Sequence, residues 1–195
     1  MDMKNRFIIF FLLAAPLFLP SLARAQNNWT LEKSTLTYHV SHPLHEVAGV
    51  SHAARGKGVC RSGKCDFLVA APVKSFDSGD SNRDLHMLQV VRGADFPMII
   101  VRFSLPESDL DAASIHCNLQ IRFAGQTVEY KQVAFQQTIQ GKDHHIAGTI
   151  PATVSDFKID PPKLLMVPIK NEIPVDVDMT WTPDATGAAG GKSSH

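Results

Sequence analysis

The 195-residue sequence lacks an excess of either charge: 19 lysines and arginines face 19 aspartates and glutamates. A duplex nucleic-acid binder needs a basic face, so this balance and a pI near 7.1 exclude that class. Glycine and proline number 12 each, too few for a collagen-like chain and too scattered for a low-complexity one. Beyond residue 22 no apolar run is long enough to span a bilayer. Three signatures of chemistry are also missing. No serine sits in G-x-S-x-G, no histidine pair has the HExxH spacing, and no cysteine pair reads C-x-x-C. No carboxylate pair stands apart from ordinary surface charge, so a non-enzymatic role is expected, with no cofactor.

What is present begins with an export leader. Lys4 and Arg6 precede an apolar run from Phe7 to Leu22, which ends at Ala23-Arg24-Ala25, a small-x-small cleavage site. The run is short for a membrane span and is broken by Pro16 and Pro20, so a cleaved signal peptide over residues 1–25 is expected rather than a stable membrane anchor. Its removal takes Lys4, Arg6, Arg24 and Asp2, leaving 170 residues with a net charge of −2. Such a length suits one domain, here residues 26–183, and no repeat or linker divides it. The segment 184–195, rich in Gly, Ala and Ser, has nothing to bury and reads as a disordered tail.

In an oxidising compartment Cys60 and Cys65, which frame a Gly63 turn between two strand-like runs, are expected to be bridged. A redox or metal pair is the weaker reading of C-x4-C. Cys117 is left over.

The dominant signal in the mature chain is period two. Leu36, Tyr38 and Val40 alternate with polar residues, as do Ile99, Val101, Phe103 and Leu105. Ile115, Cys117, Leu119, Ile121 and Phe123 do the same, and so do Ile173, Val175, Val177, Met179 and Trp181. Each is a strand with one apolar and one wet face. Weaker strand patterns cover about 47–60, 65–72, 128–139 and 145–154. Around Tyr130 to Val133 the apolar parity switches from even to odd, which a bulge would accommodate. One segment reads as helix: Asp80-Ser81-Asn82 can cap a stretch from Arg83 to about Val91, with Leu85, Leu88 and Val91 at spacing three and Gly93 as its stop. A second helical turn is expected near Ser155–Phe157.

About eight antiparallel strands fit a sandwich or an up-and-down barrel. The long strands at 115–123 and 128–139 favour an all-β, eight-stranded barrel with one short helix, whose interior fills with side chains or holds one small ligand. The inward set is then Leu36, Tyr38, Val40, Val101, Phe103, Leu119, Ile121, Phe123, Val175 and Val177, and it makes an apolar lumen.

Several segments resemble the YceI-like family. Ser34-Thr-Leu36-Thr-Tyr38-His-Val40-Ser-His42 is similar to that family's opening strand, and Val47-Ala-Gly49 to the Val-x-Gly that follows it. Ser75 and Arg83-Asp84-Leu85-His86-Met87 resemble its Ser segment and Arg-Asp-x-His-Leu helix start. Phe96-Pro97 leading into Val101-Arg-Phe103 resembles its aromatic-Pro strand. The match runs from about Trp29 to Thr182. The resemblance implies a lipocalin-like antiparallel barrel in the periplasm that carries an isoprenoid lipid or quinone, with a homodimer left open. It also groups Arg83, His86 and His42 around the cavity mouth, where Arg83 and His86 would donate to a lipid head group. The competing explanation of Arg83 and Asp84 is helix-start physics, with Asp84 in the first turn and Arg83 braced on a neighbouring loop. A second reading of the function uses the crowd of histidines at the start. In a metal- or haem-binding redox protein, His42, His45 and His86 would be the ligand set.

Overall fold

The computed structural model describes residues 27–184 other than 44 and 165. The leader and the tail from 185 onward lie outside the described residues. Eleven strands and one α-helix follow in chain order: β1 Asn27–His42, β2 His45–Ser51, β3 Arg55–Arg61, β4 Lys64–Pro72, α1 Ser81–Val90, β5 Met98–Pro106, β6 Ser114–Phe123, β7 Gln126–Gln140, β8 Asp143–Ile150, β9 Lys163–Leu164, β10 Val167–Pro168 and β11 Val175–Pro183. Neighbouring strands pair in the order β11-β8-β7-β6-β5-β4-β3-β1-β2, and β11 pairs back onto β1. The result is a closed eight-stranded antiparallel barrel. The expected run over 47–60 is two strands: β2 pairs with Leu36–His42 of β1 and β3 with Asn27–Thr30, so together they make one stave. The break falls at His52-Ala53-Ala54. Among the described residues no helix is long and apolar enough to cross a membrane.

Turn chemistry sets the hairpins. Ser62 and Gly63 (φ 54° and 81°) join β3 to β4, and Ala124 and Gly125 (φ 48° and 81°) join β6 to β7. Two consecutive left-handed residues give the twist that a two-residue hairpin needs. Cys60 lies directly across the β3–β4 ladder from Cys65, with Cα atoms 4.0 Å apart, and the two are disulfide-bonded and buried. Cys117 is free and buried.

Register is corrected twice by bulges. In β7 Gln132 adopts φ 52°, its backbone N–H donates to Asn118 Oδ1 at 2.9 Å, and pairing with β6 shifts between Cys117 and Leu119. Val128 and Tyr130 before it and Val133 and Phe135 after it therefore face the same side, as the parity switch predicts. A second bulge, between Leu31 and Lys33 of β1, turns odd-numbered Trp29 and Leu31 inward together with even-numbered Leu36.

The helix begins as expected: Asp80 is its N-cap, accepting from the backbone N–H of Asn82 and Arg83. Its stop differs. The left-handed residue is Arg92 (φ 55°), and Gly93 follows it, donating its N–H to the Leu88 carbonyl at 2.7 Å while Arg92 donates to Gln89. This is a Schellman closure in which a non-glycine takes the left-handed position. Of the three apolar positions expected to face inward, Leu88 packs on the core and Val91 is buried, but Leu85 is 58% exposed, and Arg83, His86, Met87, Val90 and Val91 line the cavity. The turn at Ser155–Phe157 is a 3-10 helix.

Strand direction gives the barrel two distinct ends. At one, here the base, lie the 61–64 and 140–143 hairpins and the 3-10 turn Glu107–Asp111, tied to the first hairpin by Glu107 N–H donating to the Gly63 carbonyl. At the other, the mouth, lie α1, the β1–β2 turn and the segment between β8 and β11. Lys170 N–H donates to the Ser41 carbonyl and holds that segment on the β1 tip.

Candidate functional site: an apolar cavity with two polar ends

The barrel encloses a cavity of about 660 Å³, within the range of sites that hold one small molecule. Alternation puts the wall together. Leu36, Tyr38 and Val40 come from β1, Val101 and Phe103 from β5, Leu119, Ile121 and Phe123 from β6, and Val175 and Val177 from β11; all line the cavity. Cys117 lies in the same wall, and burial pushes its thiol up to about 11. The sequence reading left out β4, β7 and β8, which add Phe67, Val69, Phe135 and Ile146. Phe67 stacks on Phe103 with ring centroids 5.0 Å apart and meets Trp181 edge-on at 5.2 Å, so aromatic faces make up part of the lower wall.

Polar side chains sit at the ends of the lining. At the mouth are His42, His45, Asp80, Arg83, His86 and Lys163. Arg83 is braced on the loop before α1: Nε donates to Ser78 Oγ at 2.8 Å and Nη2 to the Ser78 carbonyl at 2.6 Å. Asp84 accepts from the Ser78 N–H at 3.2 Å. The helix-start explanation and a place on the cavity wall therefore hold for Arg83 together. His86 is exposed at the rim. His42 is buried and its Nε2 donates to the Val167 carbonyl at 3.3 Å. Tyr38 reaches toward this corner, and its hydroxyl is raised above its ordinary value, chiefly by burial and then by the Asp84 charge.

The histidines do not assemble into a ligand set. His42 and His45 have ring centroids 5.7 Å apart, and His42 is taken up by Val167. His39 instead pairs with Asp176 on the outer face at 2.8 Å, and His52 Nδ1 is 3.1 Å from Thr35 Oγ1. Among the described residues no group of three or more His, Cys, Asp or Glu is placed to hold a metal ion, so the reading of His42, His45 and His86 as a metal set is corrected. His42 is held by the Val167 carbonyl, His39 by Asp176, and His86 stands on α1 rather than on the strand that carries His42.

At the base the lining contains Trp29, Gln137 and His144, a group that sequence reasoning missed. The available signal was parity: Gln137 follows Val133 and Phe135, and His144 precedes Ile146 and Ile150, at the same even or odd positions.

No protein-family model and no curated protein matches the chain. Solved structures do share its fold. A polyisoprenoid-binding domain from Saccharophagus degradans, implicated in plant cell wall breakdown, superposes with a TM-score of 0.65 at 12% identity, over 79% of this chain and 97% of that one. BcnA of Burkholderia cenocepacia superposes with a TM-score of 0.63 at 13% identity, over 75% of this chain and 95% of that one.

Proposed function

We propose that this chain is an exported, non-enzymatic carrier that holds one long isoprenoid lipid, such as an isoprenoid quinone, inside its barrel. The observation that carries this reading is the cavity itself: a closed barrel whose wall is aliphatic and aromatic along its whole middle, with polar groups only at its ends. An apolar chain placed there gains about 25 cal/mol for each Å² removed from water. Among the described residues of the middle wall, none is placed to activate a nucleophile or move a proton. The fold shared with a domain described as polyisoprenoid-binding supports the same ligand class. Export rests on the leader read at residues 1–25. Arg83 and His86 stand where a charged head group would meet solvent at the mouth.

Titration of the delipidated protein with an isoprenoid quinone tests the reading. Saturation at one molecule per barrel is expected. Leu119→Arg, which places a charge in the middle of the wall, should abolish uptake in a folded variant. Uptake unchanged by that substitution, or none by the native protein, would overturn the proposal.

A further inference from the structure

The base of the cavity is built around an unpaired donor. Trp29 is 6% exposed, and its Nε1 is, among the described residues, the one buried side-chain nitrogen or oxygen without a hydrogen-bond partner. Such a group is disfavoured unless something supplies an acceptor. Trp29 meets His144 edge to face, with ring centroids 4.7 Å apart and planes 88° apart. His144 is itself 8% exposed.

The protonation of His144 follows from its neighbours. Gln137 Nε2 donates to the carbonyls of Leu110 (2.6 Å) and Ala112 (2.9 Å), which fixes its amide and turns Oε1 toward His144 Nδ1 at 3.4 Å. Oε1 can only accept, so Nδ1 is the donor in that contact, with the Leu110 carbonyl as a second acceptor beside the ring; in this neutral tautomer Nε2 is the accepting nitrogen. Burial holds the imidazole below its ordinary value, so the neutral form is the one present near pH 7. The donor lacking an acceptor thus belongs to a ring packed on His144, and both residues line one cavity.

A hydroxyl has the chemistry this pair calls for: it would accept from Trp29 Nε1–H and donate to His144 Nε2. A quinone carbonyl satisfies Trp29 alone. A phosphate fits poorly: the described lining at this end holds no lysine or arginine, and Asp111 and Asp143 lie close enough to act on His144 electrostatically.

We propose that Trp29 and His144 form a seat for a neutral ligand oxygen, so that an isoprenoid alcohol enters head-first with its tail toward α1. The proposal rests on the lipid-carrier reading and assigns the orientation and head-group class of that ligand. Chains with a charged head keep it at the mouth, beside Arg83.

The test compares geranylgeraniol with the matching hydrocarbon that lacks the hydroxyl, each displacing a fluorescent polyene from the full mature protein. The native chain should prefer the alcohol by about ten-fold, and Trp29→Phe, which deletes the N–H and keeps an aromatic ring, should weaken the alcohol by about five-fold while leaving the hydrocarbon within about two-fold. Equal affinity of the native protein for both ligands, or equal losses in the variant, would overturn the seat while leaving the carrier reading intact. Failure of both ligands to bind the native protein would overturn both. A measurement on the native chain gives a separate check. The ¹⁵N shift of His144 Nε2 should move toward that of a hydrogen-bonded acceptor with the alcohol and not with the hydrocarbon; identical shifts would contradict the proposal.

Discussion

Tyr38 lies directly across the β1–β2 ladder from Gly49, and its ring occupies the space where a Cβ at Gly49 would stand. The Val-Ala-Gly run thus has a packing cause. Only a residue without a side chain lets the ring lie down on β2 and leave the lumen open. Gly49→Ala should push Tyr38 off its neighbour Phe76 (centroids 5.6 Å apart) and toward the cavity. A loss of about 1–3 kcal/mol, typical of overpacking, is expected. Denaturant titration checks it, and an unchanged midpoint at unchanged slope would show that the ring moves aside freely.

The cysteines should be distinguishable by reactivity. Oxidised native protein should show no fast-reacting thiol and one thiol after denaturation, since Cys60 and Cys65 are joined and the Cys117 thiol is buried and pushed up to about 11. Three thiols in unreduced, denatured protein would rule out the bridge.

His144 should make stability depend on pH. Burial disfavours its imidazolium and outweighs Asp111, the Leu110 carbonyl and Asp143, which act the other way. Its folded pKa is thus below the unfolded value of about 6.5, and in the window between them the unfolded chain binds more protons. The contribution is complete above that window and is lost as pH falls through it, with a slope of at most about 1.4 kcal/mol per pH unit. Unfolding free energies at pH 7 and pH 5 should differ less in His144→Phe than in the native chain. Equal differences would place the acid sensitivity elsewhere.

Much of this architecture could be read from alternation alone. The strands around Leu36, Val101, Leu119 and Val177 carry apolar residues at every second position, and closing them into a barrel turns that face into the cavity wall. The β7 bulge was legible because apolar residues flank it on both sides. The β1 bulge was not, because Glu32 and Lys33 separate Trp29 and Leu31 from Leu36 and the pattern looks as though it starts late. The break between β2 and β3 was hidden for another reason: the inward residues there are Gly49, Ser51, Ala54, Gly56 and Gly58, which carry no apolar signal. The base group was missed because Gln137 and His144 are residue types usually left on the wet face. Their burial depends on the Leu110 and Ala112 carbonyls, which tertiary structure brings to them.

The mouth should read charge. Arg83→Ala is expected to weaken binding of a diphosphate-headed isoprenoid by about three- to ten-fold, the range for losing a partly solvated charged hydrogen bond, and to leave the alcohol unchanged. Arg83→Lys should restore part of the loss. Equal weakening of headed and headless chains would mean that Arg83 serves only to brace Ser78 at the start of α1.

Native mass spectrometry of the protein purified from its own host identifies what the barrel holds. One adduct per barrel is expected, with the mass of an isoprenoid lipid and released by organic solvent. A protein that flies bare, or one that carries stoichiometric metal or shows a Soret band in solution, would contradict the lipid-carrier reading.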